Sequence, residues 1–126
     1  MKAIATQSTP DAAAVLTKAT IRAADNLFVA RAALAKVIGL SEATLSRIYQ
    51  GDRTINPKTK EGELSAMLIR LYRSLHPLVG GDSMAVKHWM ESRNDGLGGQ
   101  VPAEYIKTVT GLFNTLGYLD SMRARN

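Results

Sequence analysis

The sequence has 126 residues, enough for one compact domain or two small units sharing a core, and a chain of this size buries roughly two-thirds of its unfolded surface. It has no cysteine, which excludes disulfides, thiolate metal sites and cysteine nucleophiles, and no apolar run approaches the roughly 20 residues that span a bilayer. The net charge of +5 is uneven: residues 1–60 hold nine Lys/Arg against four Asp/Glu, whereas residues 61–126 hold seven of each.

Residues 1–10 are polar and mixed, end in Thr9-Pro10 and read as a flexible tail. No continuous apolar segment follows Lys2, so no signal peptide is expected, and a cytoplasmic location fits the missing cysteine. From Asp11 to Leu27 the chain is alanine-rich. Val15, Ala19, Ala23 and Leu27 recur at four-residue steps, predicting a helix that packs through them. Helices are expected next over Val29–Ile38 and Ser41–Gln50, and Asp52 to Pro57 reads as a loop because Asn-Pro disfavours a helix.

A fourth helix is expected from Lys58 or Thr59 to about Leu75, with Leu64, Met67, Leu68, Leu71 and Leu75 as its stripe, ended by Pro77 and Gly80-Gly81. Asp82 and Ser83 can cap a helix over Met84–Arg93 that carries Val86, Trp89 and Met90. Trp89, the sole tryptophan, has the size to anchor a second core. A glycine-rich loop follows, in which Leu97 can plug that core. Pro102 then opens a last helix with Tyr105, Ile106, Val109, Leu112, Phe113 and Leu116 on its apolar side, and residues 117–126 form a tail. No alternating strand pattern and no internal repeat is visible. The fold expected is all-α, with one helical half at 11–57 and a second at 58–126.

The stretch RAALAKVIGLSEATLSRIYQ, Arg31 to Gln50, has the pattern of a helix-turn-helix. Ala35 permits two helices to cross closely, Gly39 suits a left-handed helix end, Ser41 can cap the second helix and Gly51 can end it. Leu34, Ile38, Leu40, Leu45 and Ile48 then face inward. The outer surface of the second helix is left with Ser41, Glu42, Ala43, Thr44, Ser46, Arg47 and Gln50, the surface such a unit lays in the major groove.

Arg47 can bridge guanine O6 and N7, and Gln50 adenine N6 and N7; Ser41, Thr44 and Ser46 suit shorter contacts. Glu42 can accept from cytosine N4 or simply serve the helix dipole. Arg31, Lys36, Arg53 and Lys58 are candidate phosphate clamps, consistent with the basic first half. The bland alternative for each is a solvated charge, since helix-turn-helix packing also occurs in proteins that bind only proteins.

No enzyme is expected. His76 and His88 lack a carboxylate or second histidine at ligand spacing, and Gly96-x-Gly98-Gly99 lacks the strand and spacing of a phosphate loop, so no metal or cofactor is assigned.

The segment Trp89-Met90-Glu91-Ser92-Arg93-Asn94-Asp95-Gly96-Leu97-Gly98-Gly99-Gln100-Val101-Pro102 resembles the signature of the Xre/ParS/MbcA antitoxin family. There, a helix ending in an aromatic-apolar pair is followed by Asn, Leu-Gly-Gly and a Pro that opens a helix. The likeness continues through Glu104, Thr108 and Gly111, with Leu112 and Leu116 behind. With the Xre-like helix-turn-helix ahead of it, the resemblance covers about residues 25–120.

It implies a type II antitoxin encoded beside a toxin with a RES domain, which destroys cellular NAD. The C-terminal module would cover the toxin's active-site cleft while the helix-turn-helix binds the shared promoter as a homodimer and represses it. Carried onto this sequence, the toxin contacts would be Tyr118, Leu119, Met122, Arg123, Arg125 and Asn126. Many members have a turn and a Gly-Val-aromatic ending where this chain reads Arg-Ala-Arg-Asn, so this end is expected to engage differently. Removing residues from Tyr118 onward should abolish neutralisation and spare DNA binding. The alternative is a stand-alone repressor with no toxin partner, whose second half serves dimerisation or effector sensing.

Overall fold

A computed structural model describes residues 11–125; the tail expected at 1–10 and the candidate contact Asn126 lie outside the described residues. Helix α1, Ala12–Asn26, starts where the Asp11 carboxylate accepts from the Ala13 N–H at 3.0 Å. It packs against α4 with part of the expected stripe inward: Ala23 and Leu27 are buried and Ala19 is half-buried. Val15 is 55% exposed, and the buried face is Thr17, Thr20, Ala23 and Ala24. Two threonines can be buried because their hydroxyls are satisfied: Thr17 donates to the Ala13 carbonyl and Thr20 to that of Leu16, each at 2.7 Å. Thr17 Oγ1 also accepts from the Ile55 N–H at 2.7 Å, pinning the loop before α4, whose Ile55 side chain is fully buried.

Helix α2, Arg31–Ile38, ends at Gly39 with φ +76, and α3, Glu42–Tyr49, begins at Ser41, whose Oγ accepts from the Thr44 N–H at 3.1 Å. Leu34, Ala35, Ile38, Leu45 and Ile48 are buried between them, as the pattern predicted, while Leu40 is half-buried. Val29 is buried but precedes the helix, which starts two residues later than expected.

Helix α4, Lys60–Leu78, runs past the expected stop with Pro77 inside it. So close to the helix end, the missing proline N–H forfeits a single intrahelical bond, and Val79, Gly80 and Gly81 donate to the carbonyls of Leu75, Pro77 and His76. Leu64, Leu68, Leu71 and Leu75 form its buried spine, with Met67 half-buried. The helix packs on α1 and α2 toward one end of the chain, and on α5 and α7 toward the other.

Helix α5, Ser83–Glu91, is capped by Asp82, which accepts from the Met84 N–H at 3.1 Å. Val86 and Met90, one turn apart, are fully buried, whereas Trp89 is only half-buried. The second core is therefore anchored by Met90 rather than by the tryptophan, because the spacing that turns 86 and 90 inward leaves 89 on the rim.

A single 3₁₀ turn, Asp95–Leu97, buries Leu97, and the loop around it closes as Asn94 and Gln100 pair across Gly98 (φ +68) and Gly99 (φ +81). The last predicted helix is broken in two: α6, Pro102–Tyr105, and α7, Val109–Arg125. Thr108 causes the break. Its Oγ1 accepts from the Gly111 N–H at 3.0 Å and donates to the Tyr105 carbonyl at 3.2 Å, so it caps a new helix instead of continuing the old one.

The turn rotates the next segment. Leu112, Thr115, Leu116 and Leu119 are buried, while Val109 and Phe113, expected inside, are 61% and 66% exposed. The expected tail is helical to Arg125. One apolar cluster joins both halves, from Ala24 and Leu34 through Leu68 and Leu71 to Met90 and Leu119. Among the described residues there are seven α-helices and no strand.

Candidate nucleic-acid interface and partner face

Helix α3 is fixed by its buried Leu45 and Ile48, and everything else on it faces outward to some degree. Glu42, Ala43, Arg47 and Gln50 are exposed, and Thr44 and Ser46 are half-buried. Ser41 is exposed but already engaged: besides capping, its hydroxyl donates to Thr44 Oγ1 at 2.9 Å. Arg47 lies in the last turn of α3, and Lys36 in the last turn of α2, where both charges complement the helix dipole. Arg53, on the loop after α3, pairs with Glu61 at 3.4 Å. Of the sequence-predicted set, the long side chains of Lys36, Arg47, Gln50, Arg53 and Lys58 are all exposed, on α2, on α3 and on the loop that follows it.

One contact had no signature in the spacing. The Arg31 guanidinium lies 3.9 Å from the centre of the Tyr49 ring, tying the start of α2 to the end of α3. Burial pushes the Tyr49 hydroxyl above its ordinary value; the Asp25 carboxylate adds to this, and Arg31 opposes it. Arg31 is thereby committed to the tyrosine face, which weakens its candidacy as a free phosphate clamp.

The C-terminal candidates separate. Tyr118 and Met122, half-buried, and exposed Arg125 follow one edge of α7 at helical spacing, and the Tyr118 ring lies directly against Gly96, where a Cβ would overlap it. Leu119 is 1% exposed and belongs to the core, so its expected role in partner contact is corrected. Arg123 turns toward α4. It donates to Ser74 Oγ at 3.1 Å and lies 3.9 Å from Asp120, which also accepts from Arg70 at 2.9 Å and from Ser74 at 3.4 Å. This network holds α7 to α4. A cut before Tyr118 would remove Leu119 and Asp120 together, so it would unmake the module rather than trim a free end.

The two histidines stay apart from any constellation. His88 is exposed with Ser92 Oγ 3.5 Å from its Nε2, His76 tilts against Tyr72 at 5.3 Å, and no group of three metal-ligating residues forms among the described residues. No described helix is long and apolar enough to cross a membrane.

Two family models match the chain. Residues 6–70 match the antitoxin Xre-like helix-turn-helix domain, and residues 74–125 match the antitoxin Xre/MbcA/ParS C-terminal toxin-binding domain. The two matches meet inside α4, whereas the sequence alone set the division at 57/58. No curated protein matches the chain.

Proposed function

Because the chain belongs to the Xre/MbcA/ParS-type antitoxins, we propose that it neutralises a RES-domain, NAD-degrading toxin and represses the operon encoding the pair. The observation that carries this reading is the joining of two modules, an antitoxin helix-turn-helix and a toxin-binding domain, on the single helix α4. The C-terminal module covers the toxin's active-site cleft, with Tyr118, Met122 and Arg125 as contacts.

On the DNA side, Arg47 and Gln50 read base edges. Ser41, Glu42, Ala43, Thr44 and Ser46 line the groove at shorter reach, and Lys36 and Arg53 meet phosphates. A homodimer presents two copies of α3 to half-sites about one helical turn apart. The protein itself is a regulator rather than an enzyme, and acts in the cytoplasm.

Co-expression with the product of the neighbouring gene, followed by affinity purification and an NAD assay on the cells, tests this. A stable complex is expected, with NAD lost only when the neighbour is expressed alone. No complex and unchanged NAD would overturn the antitoxin reading and leave a stand-alone repressor.

A further inference from the structure

The outer face of α7 is unlike an ordinary solvated helix face. Val109, Thr110, Phe113, Asn114, Gly117 and Ser121 are all exposed, and none carries a charge. Exposed faces of helices normally carry charged and polar side chains opposite the buried stripe. Here the two most exposed large apolar residues of the described chain, Val109 and Phe113, stand one turn apart at 61% and 66%. Depletion of charge around an aromatic residue is the composition of an interface core.

Gly117 provides a second, independent observation. It lies within α7, its backbone is not left-handed, and among the described residues no neighbouring atom lies within 4 Å of where a Cβ would stand. A mid-helix glycine weakens a helix relative to almost any other residue. Gly62 and Gly111, by contrast, are required because a Cβ would overlap the carbonyl oxygens of Asn56 and Tyr105. Among the described residues, nothing requires Gly117. What a bare backbone on an exposed face permits is close approach by another surface.

We propose that Phe113 and Gly117 form the centre of the toxin-docking face, Phe113 filling an apolar pocket of the toxin while the toxin's backbone or a small side chain closes onto Gly117. This rests on the antitoxin reading above, and the occupant follows from position: the whole face lies within residues 74–125, which match the toxin-binding domain. It is a different face from the Tyr118–Met122–Arg125 edge, so contact with the toxin continues around α7 from one to the other. The toxin surface it meets is apolar and uncharged, since a buried carboxylate or ammonium there would find no partner on this face.

The test uses the full chain and the neighbouring gene's product, with affinity measured for the wild type, Phe113→Glu and Gly117→Gln. Phe113→Glu should weaken the complex at least 100-fold with an unchanged melting temperature, because Phe113 contributes little to the core. Gly117→Gln should weaken the complex at least tenfold while melting no lower than the wild type, a pairing that a structural role would not produce. Binding within threefold of the wild type in both variants would overturn this docking face and leave the antitoxin reading standing. A chain whose self-association, not toxin binding, is lost in Phe113→Glu would assign the face to a second copy and also overturn it. A wild-type chain that forms no complex would overturn the reading and the inference together.

Discussion

Arg47 and Lys36 illustrate how two exposed cations on neighbouring helix ends differ in consequence. Arg47 projects from α3, where a guanidinium can bridge two acceptors on one guanine, so Arg47→Ala is expected to cost about 1–3 kcal/mol and relax preference at one base pair. Titration of single-base operator variants checks this, and unchanged discrimination at every position would refute the groove assignment. Lys36, exposed in the last turn of α2, is the proposed phosphate contact. Lys36→Ala should weaken all sequences evenly and reduce the salt slope of binding by about one.

Tyr49 makes a different prediction. Its folded pKa is raised by burial above the ordinary 10.0, so its neutral form is favoured in the folded state. The stability this contributes is fully present below pH 10.0 and lost as pH rises through the higher folded value. Alkaline denaturation of Tyr49→Phe should therefore fall less steeply above that pH than that of the wild type. The identities of Arg47 and Gln50 as candidates were legible from helical spacing, and that of Lys36 from its charge. The Arg31–Tyr49 contact was not, because it joins residues on different helices whose relative rotation no local pattern encodes.

At the level of elements, the caps at Ser41 and Asp82 were legible in the sequence, and the structure adds Asp11 and Thr59; each of the four accepts from a backbone N–H of the turn it precedes. The least legible was the break between α6 and α7, although the chain uses the same device twice. In Asn56-x-x-Thr59-x-x-Gly62 and Tyr105-x-x-Thr108-x-x-Gly111, the threonine hydroxyl donates to the first residue's carbonyl and accepts from the glycine N–H. In both, a Cβ on the glycine would overlap that carbonyl.

Apolar periodicity carried the predicted helix straight through Thr108, and Val109 and Phe113 were consequently set inside. A capping threonine reorients the axis, so residues beyond it no longer share the face counted from before it. Gly111→Ala is expected to destabilise the fold by about 1–3 kcal/mol, as overpacking against backbone does. Thermal melts check this, and a variant as stable as the wild type would show that the α6–α7 turn relaxes freely. The same substitution at Gly117, where the space is open, should not destabilise.

For the whole molecule, the question is whether two modules behave as one. Leu71 is fully buried within the cluster that runs from α1 and α2 to α7. Leu71→Ala is expected to cost about 2–5 kcal/mol and to lower one cooperative transition, read equally from either half. Two separated transitions would show that α4 joins the halves without coupling them.

The amino-acid sequence by itself determined the all-α class, the helix-turn-helix and its outward residues, the leucine spine of α4 and the family, because helical period, caps and turn glycines are local properties of the chain. Tertiary structure decided which residues beyond those stripes are core. Thr17 and Thr20 displaced Val15 because their hydroxyls find acceptors one turn back, Met90 displaced Trp89 because α5 turns its 86–90 edge inward, and Leu119 displaced Phe113 because Thr108 rotates α7. Each outcome depends on where a helix axis lies against its neighbours, and burial is a property of that arrangement rather than of the residue.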